Sequence, residues 1–127
     1  MEGKGVAVLA IGPVANRALE AARRHKTDYW TGPAVYDMRY LKPLDADIME
    51  EAAKYKIIVT VEDGTVKGGL FGAVSEYFAG RADAPVIKAV GIPDRFIPQA
   101  SRDQQMQECG LDTESLFDLF IAMMKNI

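Results

Sequence analysis

One cysteine, one histidine and one tryptophan among 127 residues leave little of the chemistry that thiols and imidazoles perform. Cys109 has no second cysteine with which to close an internal disulfide, which fits a reducing, cytoplasmic setting. It stands before Gly110 with no base nearby in sequence, and reads as a semi-buried thiol rather than a nucleophile. His25 is the lone imidazole, at the polar end of an amphipathic segment, and is expected to be exposed to solvent. No nucleophile, base and acid assemble into a catalytic set, so no catalytic residue is assigned. No apolar run is long enough to span a bilayer, and the start MEGKGVAV is too short and too charged for a signal peptide. An excess of charge of one sign is missing as well. Fifteen basic residues face eighteen acidic ones, for a net charge of -3, and the densest basic block is Arg23-Arg24 with Lys26 nearby. That is no footprint for nucleic acid or for a membrane surface.

What is present is a core. A 49% hydrophobic and 26% charged composition suits one globular domain, residues 1–127. The start Met1-Glu2-Gly3 leaves room for the chain to be cut from something longer.

The pattern along the chain alternates strand and helix. Gly5 to Ile11 is a continuous apolar run ending at Gly12-Pro13, as in a strand buried on both faces. Ala15, Ala18, Leu19 and Ala22 then recur at helical spacing, with the helix expected to end near His25 and a polar loop to follow. Ala34 to Tyr40 reads as a second strand, and Asp45 as the N-cap of a helix turning Ile48, Ala52 and Tyr55 inward. Lys56 to Val61 reads as a third strand. Gly68-Gly69 opens a helix with Leu70, Val74, Tyr77 and Phe78 on one face, and Pro85 to Val90 gives a fourth strand. A short polar helix after Ser101 precedes a last helix capped by Thr113. Its Leu116, Phe117, Phe120, Ile121 and Met124 make a face wider than a core stripe needs. Such alternation predicts an α/β fold, a three-layer sandwich with a mainly parallel sheet covered on both faces. Ligands in such folds sit beyond the carboxyl ends of the strands.

Two groups there invite a functional reading. Lys67, Gly68 and Gly69 form a candidate anion loop at a helix start, where backbone N–H groups and a cation converge. The stretch matches neither GxGxxG nor GxxxxGK followed by Ser or Thr, so close packing of Gly68, Gly69 and Gly72 is the preferred reading. Glu62-Asp63, at a strand end, reads as a loop cap or a partner for Lys67 rather than as an acid or metal ligand. In the second group, Asp37, Arg39 and Leu41 share a strand face, with Lys42 and Asp45 beyond, and Asp94 and Arg95 are the candidate partners. A structural or interface ion network is preferred to a substrate site.

DMRYLKPLD from Asp37 to Asp45, VTVE from Val59 to Glu62, Gly68-Gly69, GIPDRFIPQ from Gly91 to Gln99 and GLD from Gly110 to Asp112 are taken together. In these the chain resembles the C-terminal domain of the 1-deoxy-D-xylulose-5-phosphate synthases, within the transketolase group. The likeness runs from about Gly5 to the end. The D-x-R-x-x-K-P-x-D stretch is shared with transketolase and with the pyruvate-dehydrogenase-type decarboxylase beta subunit; PDRFIPQ with the downstream GLD points to the synthases. Where the synthases usually read GGxGSxV, the chain has GGLFGAV from Gly68 to Val74, departing at Phe71 and Gly72; Ala100 stands in place of the usual glycine, and the loop between His25 and Gly32 is slightly longer.

The resemblance implies a transketolase C-terminal-domain-like fold and membership of a longer dimeric enzyme that condenses pyruvate with glyceraldehyde 3-phosphate, releasing CO2. In that enzyme thiamine diphosphate and Mg2+ belong to the preceding domains. The isolated chain, inactive by itself, would bind no cofactor, and its partners would be those domains and a second subunit. Glu62-Asp63-Gly64 lacks the first glycine of the family's GDG cofactor motif, and the only asparagines, Asn16 and Asn126, offer no counterpart to its metal-binding asparagine. Arg39, Lys42 and Asp45 would then lock a joint or a contact. A stand-alone anion-binding or regulatory module is the alternative of another class.

Overall fold

The computed structural model describes residues 3–38, 44–65, 69–92 and 111–125. The first strand, β1 (Val6–Ile11), explains why its sequence is apolar throughout. Val6, Val8 and Ala10 enter one hydrophobic cluster, and Ala7 and Leu9 enter another on the opposite face. Gly12 turns the chain at φ 86°, a conformation that costs glycine no Cβ clash, and α1 (Val14–Tyr29) begins.

Helix α1 runs past the end expected near His25. Val14, Ala15, Ala18, Ala21, Ala22 and His25 are all buried, so the inward stripe continues through the histidine. His25 itself is only 3% exposed, which corrects the expectation of a solvent-facing imidazole. The segment from Lys26 to Tyr29, expected as loop, is the helix's last turn, and Trp30 ends it at φ 65°.

Strand β2 (Ala34–Asp37) pairs in parallel with β1, and Met38 continues the ladder by donating its N–H to Ala10 O at 2.7 Å. The extension of this strand to Tyr40 falls outside the described residues. Helix α2 (Ala46–Ala52) is capped as expected: Asp45 Oδ1 accepts from the N–H groups of Asp47 and Ile48 at 3.0 and 3.2 Å. Met49 and Ala52 are its buried residues, with Ile48 and Tyr55 packed partly against the same cluster. Strand β3 (Ile57–Thr65) is longer than expected, and its register against the next strand shifts between Val61 and Thr65. Helix α3 (Leu70–Phe78) buries Leu70, Val74 and Phe78, and β4 (Val86–Ile92) follows. The short helix expected after Ser101 lies outside the described residues. The last described helix, α4 (Thr113–Lys125), buries Leu116, Phe117, Phe120 and Met123. Its cap is Asp112 rather than Thr113: Asp112 Oδ2 accepts from Ser115 N–H at 3.3 Å, and its carbonyl accepts from Leu116 at 3.0 Å.

The four strands form one all-parallel sheet in the order β2-β1-β3-β4. Helices α1 and α4 pack on each other and on one face, around Val6, Val8, Val35, Val59 and Val61; α2 and α3 cover Ala7, Leu9 and Ile58 on the other. The three-layer architecture read from the alternating pattern is the one found. The broad apolar face of α4 is used in part inside the domain, since Leu119, Ile121 and Met124 pack partly against the α1 cluster.

Candidate functional site

Because the strands are all parallel, the chain leaves β2, β3 and β4 at one edge of the sheet, where Asp37 and Glu62 stand. Asp37 ends β2 and is exposed. Glu62 lies opposite Ile11 at the end of β1, and Gly69 is the N-cap of α3. Arg39, Lys42, Lys67, Gly68, Asp94 and Arg95 lie outside the described residues. The sheet order bears on any ion network among them. With β1 and β3 between them, the carboxyl ends of β2 and β4 stand roughly 14 Å apart, three strand spacings.

The described feature at the centre of this edge is a carboxylate. Glu62 is 6% exposed, and Leu70 N–H donates to both of its oxygens, at 2.9 and 3.1 Å. Gly69 has no side chain with which to cap α3, so a glutamate from the strand before it meets the helix dipole instead. This agrees with the capping reading of Glu62. The partial positive charge at the α3 start, which drew attention to Lys67, Gly68 and Gly69, is thus faced by the protein's own anion.

Away from this edge three polar groups join elements. On the α2/α3 side, Glu50 Oε2 accepts from Tyr77 Oη at 2.5 Å and from Arg81 Nη1 at 2.9 Å, and Arg81 also pairs with Asp83 at 3.2 Å. The Tyr77 hydroxyl and the Arg81 guanidinium hold the Glu50 carboxyl below its usual range, and Arg81 does the same to Asp83. On the opposite side Arg24 of α1 pairs with Glu114 of α4 and lies over the Phe117 ring, 4.1 Å from its centroid. The third group surrounds His25. Its Nδ1 is 2.5 Å from Thr31 O, and because a carbonyl can only accept, Nδ1 carries the proton. The ring also packs on Tyr29 and edge-on to Phe117, with centroids at 4.8 and 6.3 Å. Sequence reasoning missed this role, although His25 lies three and four residues after Ala22 and Ala21 on the buried stripe.

One shallow depression of about 210 Å³ is lined by Gly3, Tyr36, Glu51, Lys54 and Tyr55. Burial and a hydrogen bond with Tyr55 push the Tyr36 hydroxyl above its ordinary range, so it stays a neutral donor. Among the described residues no three His, Cys, Asp or Glu side chains gather as metal ligands, and no helix is long and apolar enough to cross a membrane.

The described fold is a four-stranded parallel sheet between two helical layers, with Asp37 and the capping Glu62 at its carboxyl edge. Residues 1–116 match the family model for the transketolase C-terminal domain, and the chain belongs to that family. Its sequence is 40% identical over 116 residues to 1-deoxy-D-xylulose-5-phosphate synthase of Bacteroides thetaiotaomicron, covering 91% of this chain and 18% of the relative. It is 42% identical over 116 residues to the enzyme of the same name from Parabacteroides distasonis, with the same coverage. The chain thus spans about a fifth of the length of these relatives. Among solved structures, a split-gene transketolase described as an inactive beta4 tetramer superimposes with a TM-score of 0.82 at 30% identity, over 98% of this chain and 40% of that one. Transketolase from Campylobacter jejuni shares the fold at a TM-score of 0.63 and 16% identity, over 96% of this chain and 17% of its own.

Proposed function

We propose that this chain is the C-terminal domain of a longer 1-deoxy-D-xylulose-5-phosphate synthase, and that it stabilises and assembles the enzyme while the preceding domains react. The observation that carries the reading is the pairing of 40% identity across 91% of this chain with coverage of only 18% of the relative. A domain of this kind would serve an enzyme joining pyruvate to glyceraldehyde 3-phosphate with loss of CO2, in the cytoplasm, as a homodimer.

Thiamine diphosphate and Mg2+ would be held by the rest of that enzyme. The described residues of this chain do not fit them. They bring no three acidic or imidazole ligands together, and the α3 N-terminus, a natural place for a diphosphate, is faced by buried Glu62.

The ion network at the carboxyl edge has a place in this reading. Asp45 caps α2, while Asp37 at the end of β2 is exposed and available to a neighbouring surface. Arg39 and Lys42 between them in sequence, and Asp94 and Arg95 after β4, would supply further charges to a contact with the preceding domains or a second subunit.

The test is an immunoblot of the source cell with an antibody raised against this chain, followed by assay of the purified antigen. The expected result is a band several times larger than 13.9 kDa whose CO2 release from pyruvate depends on glyceraldehyde 3-phosphate. A long polypeptide that instead transfers ketol groups between sugars would place the chain in a transketolase. A band at the size of this chain would leave the stand-alone module.

A further inference from the structure

We propose that the Tyr29-Trp30 tip at the end of α1 is the seat on which the polypeptide preceding this domain docks. The proposal rests on the reading of the chain as the C-terminal part of a longer synthase. Trp30, the chain's single tryptophan, is 91% exposed, and Tyr29 beside it is 49% exposed. Tryptophan is buried on average in folded domains and is enriched among the residues that anchor interfaces, so a bare indole marks a surface that gains by being covered.

The tip is held stiffly. Trp30 is the one non-glycine residue among those described with positive φ, at 65°, a conformation that is strained for a bulky residue and persists where neighbours fix it. Here they do. His25 Nδ1–H donates to Thr31 O at 2.5 Å, the His25 and Tyr29 rings lie 4.8 Å apart, and Lys4 N–H donates to Gly32 O at 3.0 Å. Gly32 is wedged against α1, where a Cβ would come within 3.1 Å of Ala22 O. The backbone that carries the indole is thus fixed before docking, so that part of the ordering cost is already met.

The occupant follows from where the chain enters. Gly3 lies against the backbone of Gly32, Pro33 and Ala34, so closely that a Cβ on it would meet Ala34 N at 2.2 Å. The first described residues therefore run beside the segment that immediately follows Trp30. In a chain of which this domain is about a fifth, the connection from the preceding domain arrives next to the exposed indole. Covalent attachment gives that segment a local concentration that a separate molecule lacks. The matching surface is an apolar one, aliphatic or proline side chains that receive the indole face.

Hydroxyl-radical footprinting of the full-length polypeptide, read by mass spectrometry at Trp30, tests this. In the native protein Trp30 is expected to oxidise about ten-fold more slowly than in the guanidinium-unfolded protein, as for a buried anchor, and independently of dilution. A native rate close to the unfolded one would overturn the docking and leave the C-terminal-domain reading intact. Protection lost on dilution would assign the seat to a second copy and overturn it too. A native polypeptide of 13.9 kDa would remove both readings together. Trp30→Ala, which disturbs no core contact, should speed proteolysis of the full-length chain at the junction before Gly3, and Trp30→Phe should restore most of the protection. Unchanged cleavage in Trp30→Ala would also count against the seat.

Discussion

Both carboxylate oxygens of Glu62 share one donor, the N–H of Leu70, at 2.9 and 3.1 Å. The contact ties the end of β3 to the start of α3 across the segment between them, and it does so in a buried place where neither group has water to fall back on. Glu62→Ala leaves that helix start without its acceptor and is expected to destabilise the domain by about 1–3 kcal/mol. Glu62→Gln keeps an acceptor oxygen but loses the charge facing the helix dipole, so its cost should be smaller, about 0.5–1 kcal/mol. Urea unfolding of the two variants measures both, and equal losses would show that the retained acceptor oxygen contributes nothing and that the charge carries the effect.

His25 makes a similar link on the other side of the sheet. His25→Ala removes a buried ring lying against Phe117 and Tyr29 and strips Thr31 O of its donor, so a loss of about 2–4 kcal/mol is expected. His25→Phe fills most of the space without restoring the hydrogen bond and should recover only part of the loss. If the two variants melt together, packing carries no part of the effect.

The Glu50–Tyr77–Arg81–Asp83 group gives the fold an acid-side dependence. Hydrogen bonds from Tyr77 and Arg81 lower the Glu50 carboxyl, and Arg81 lowers Asp83, relative to unfolded values of about 4.3 and 3.9. A carboxyl depressed in the folded state stabilises it above the unfolded pKa, and that stabilisation fades as pH falls through the folded one. These groups are exposed, so the effect should be small and screened by salt. Thermal melts in dilute buffer should show Glu50→Gln losing less Tm than the parent chain between about pH 5 and pH 3, with the difference shrinking in high salt. An identical acid slope in the two proteins would deny the group this role.

The layers and the succession of strands and helices along the chain are legible because each element carries its own pattern: GVAVLAI, a short apolar run closed by Gly12-Pro13, reads as a strand covered on both faces, and Ala15, Ala18 and Ala22 fall on one helix face. What was hidden depended on contacts far apart in sequence. The polar look of HKTDYW concealed a helix turn because His25 is satisfied by Thr31 O beyond the helix end and by Phe117 on α4, neither of which local composition reveals. Glu62 was readable as a cap, but that both oxygens would converge on Leu70, eight residues on, required the fold. A partnership between Asp37 and the Asp94-Arg95 pair is suggested by charge; that the strands preceding them, β2 and β4, have two others between them is something sequence does not state.

That separation shapes what Arg39→Ala should do in the full-length enzyme. If Arg39 works at the edge as a joint or subunit contact, its removal lowers Tm or raises the dimer dissociation constant by about ten-fold, the loss of one charge-assisted interface bond, while kcat per assembled enzyme changes little. Asp94→Ala and Arg39→Ala should then act additively, because the two segments leave the sheet from β4 and β2 with two strands between. Strong coupling in the double variant would bring the two charges together after all. A fall in kcat with assembly unchanged would move Arg39 from the joint to the substrate's side of the enzyme.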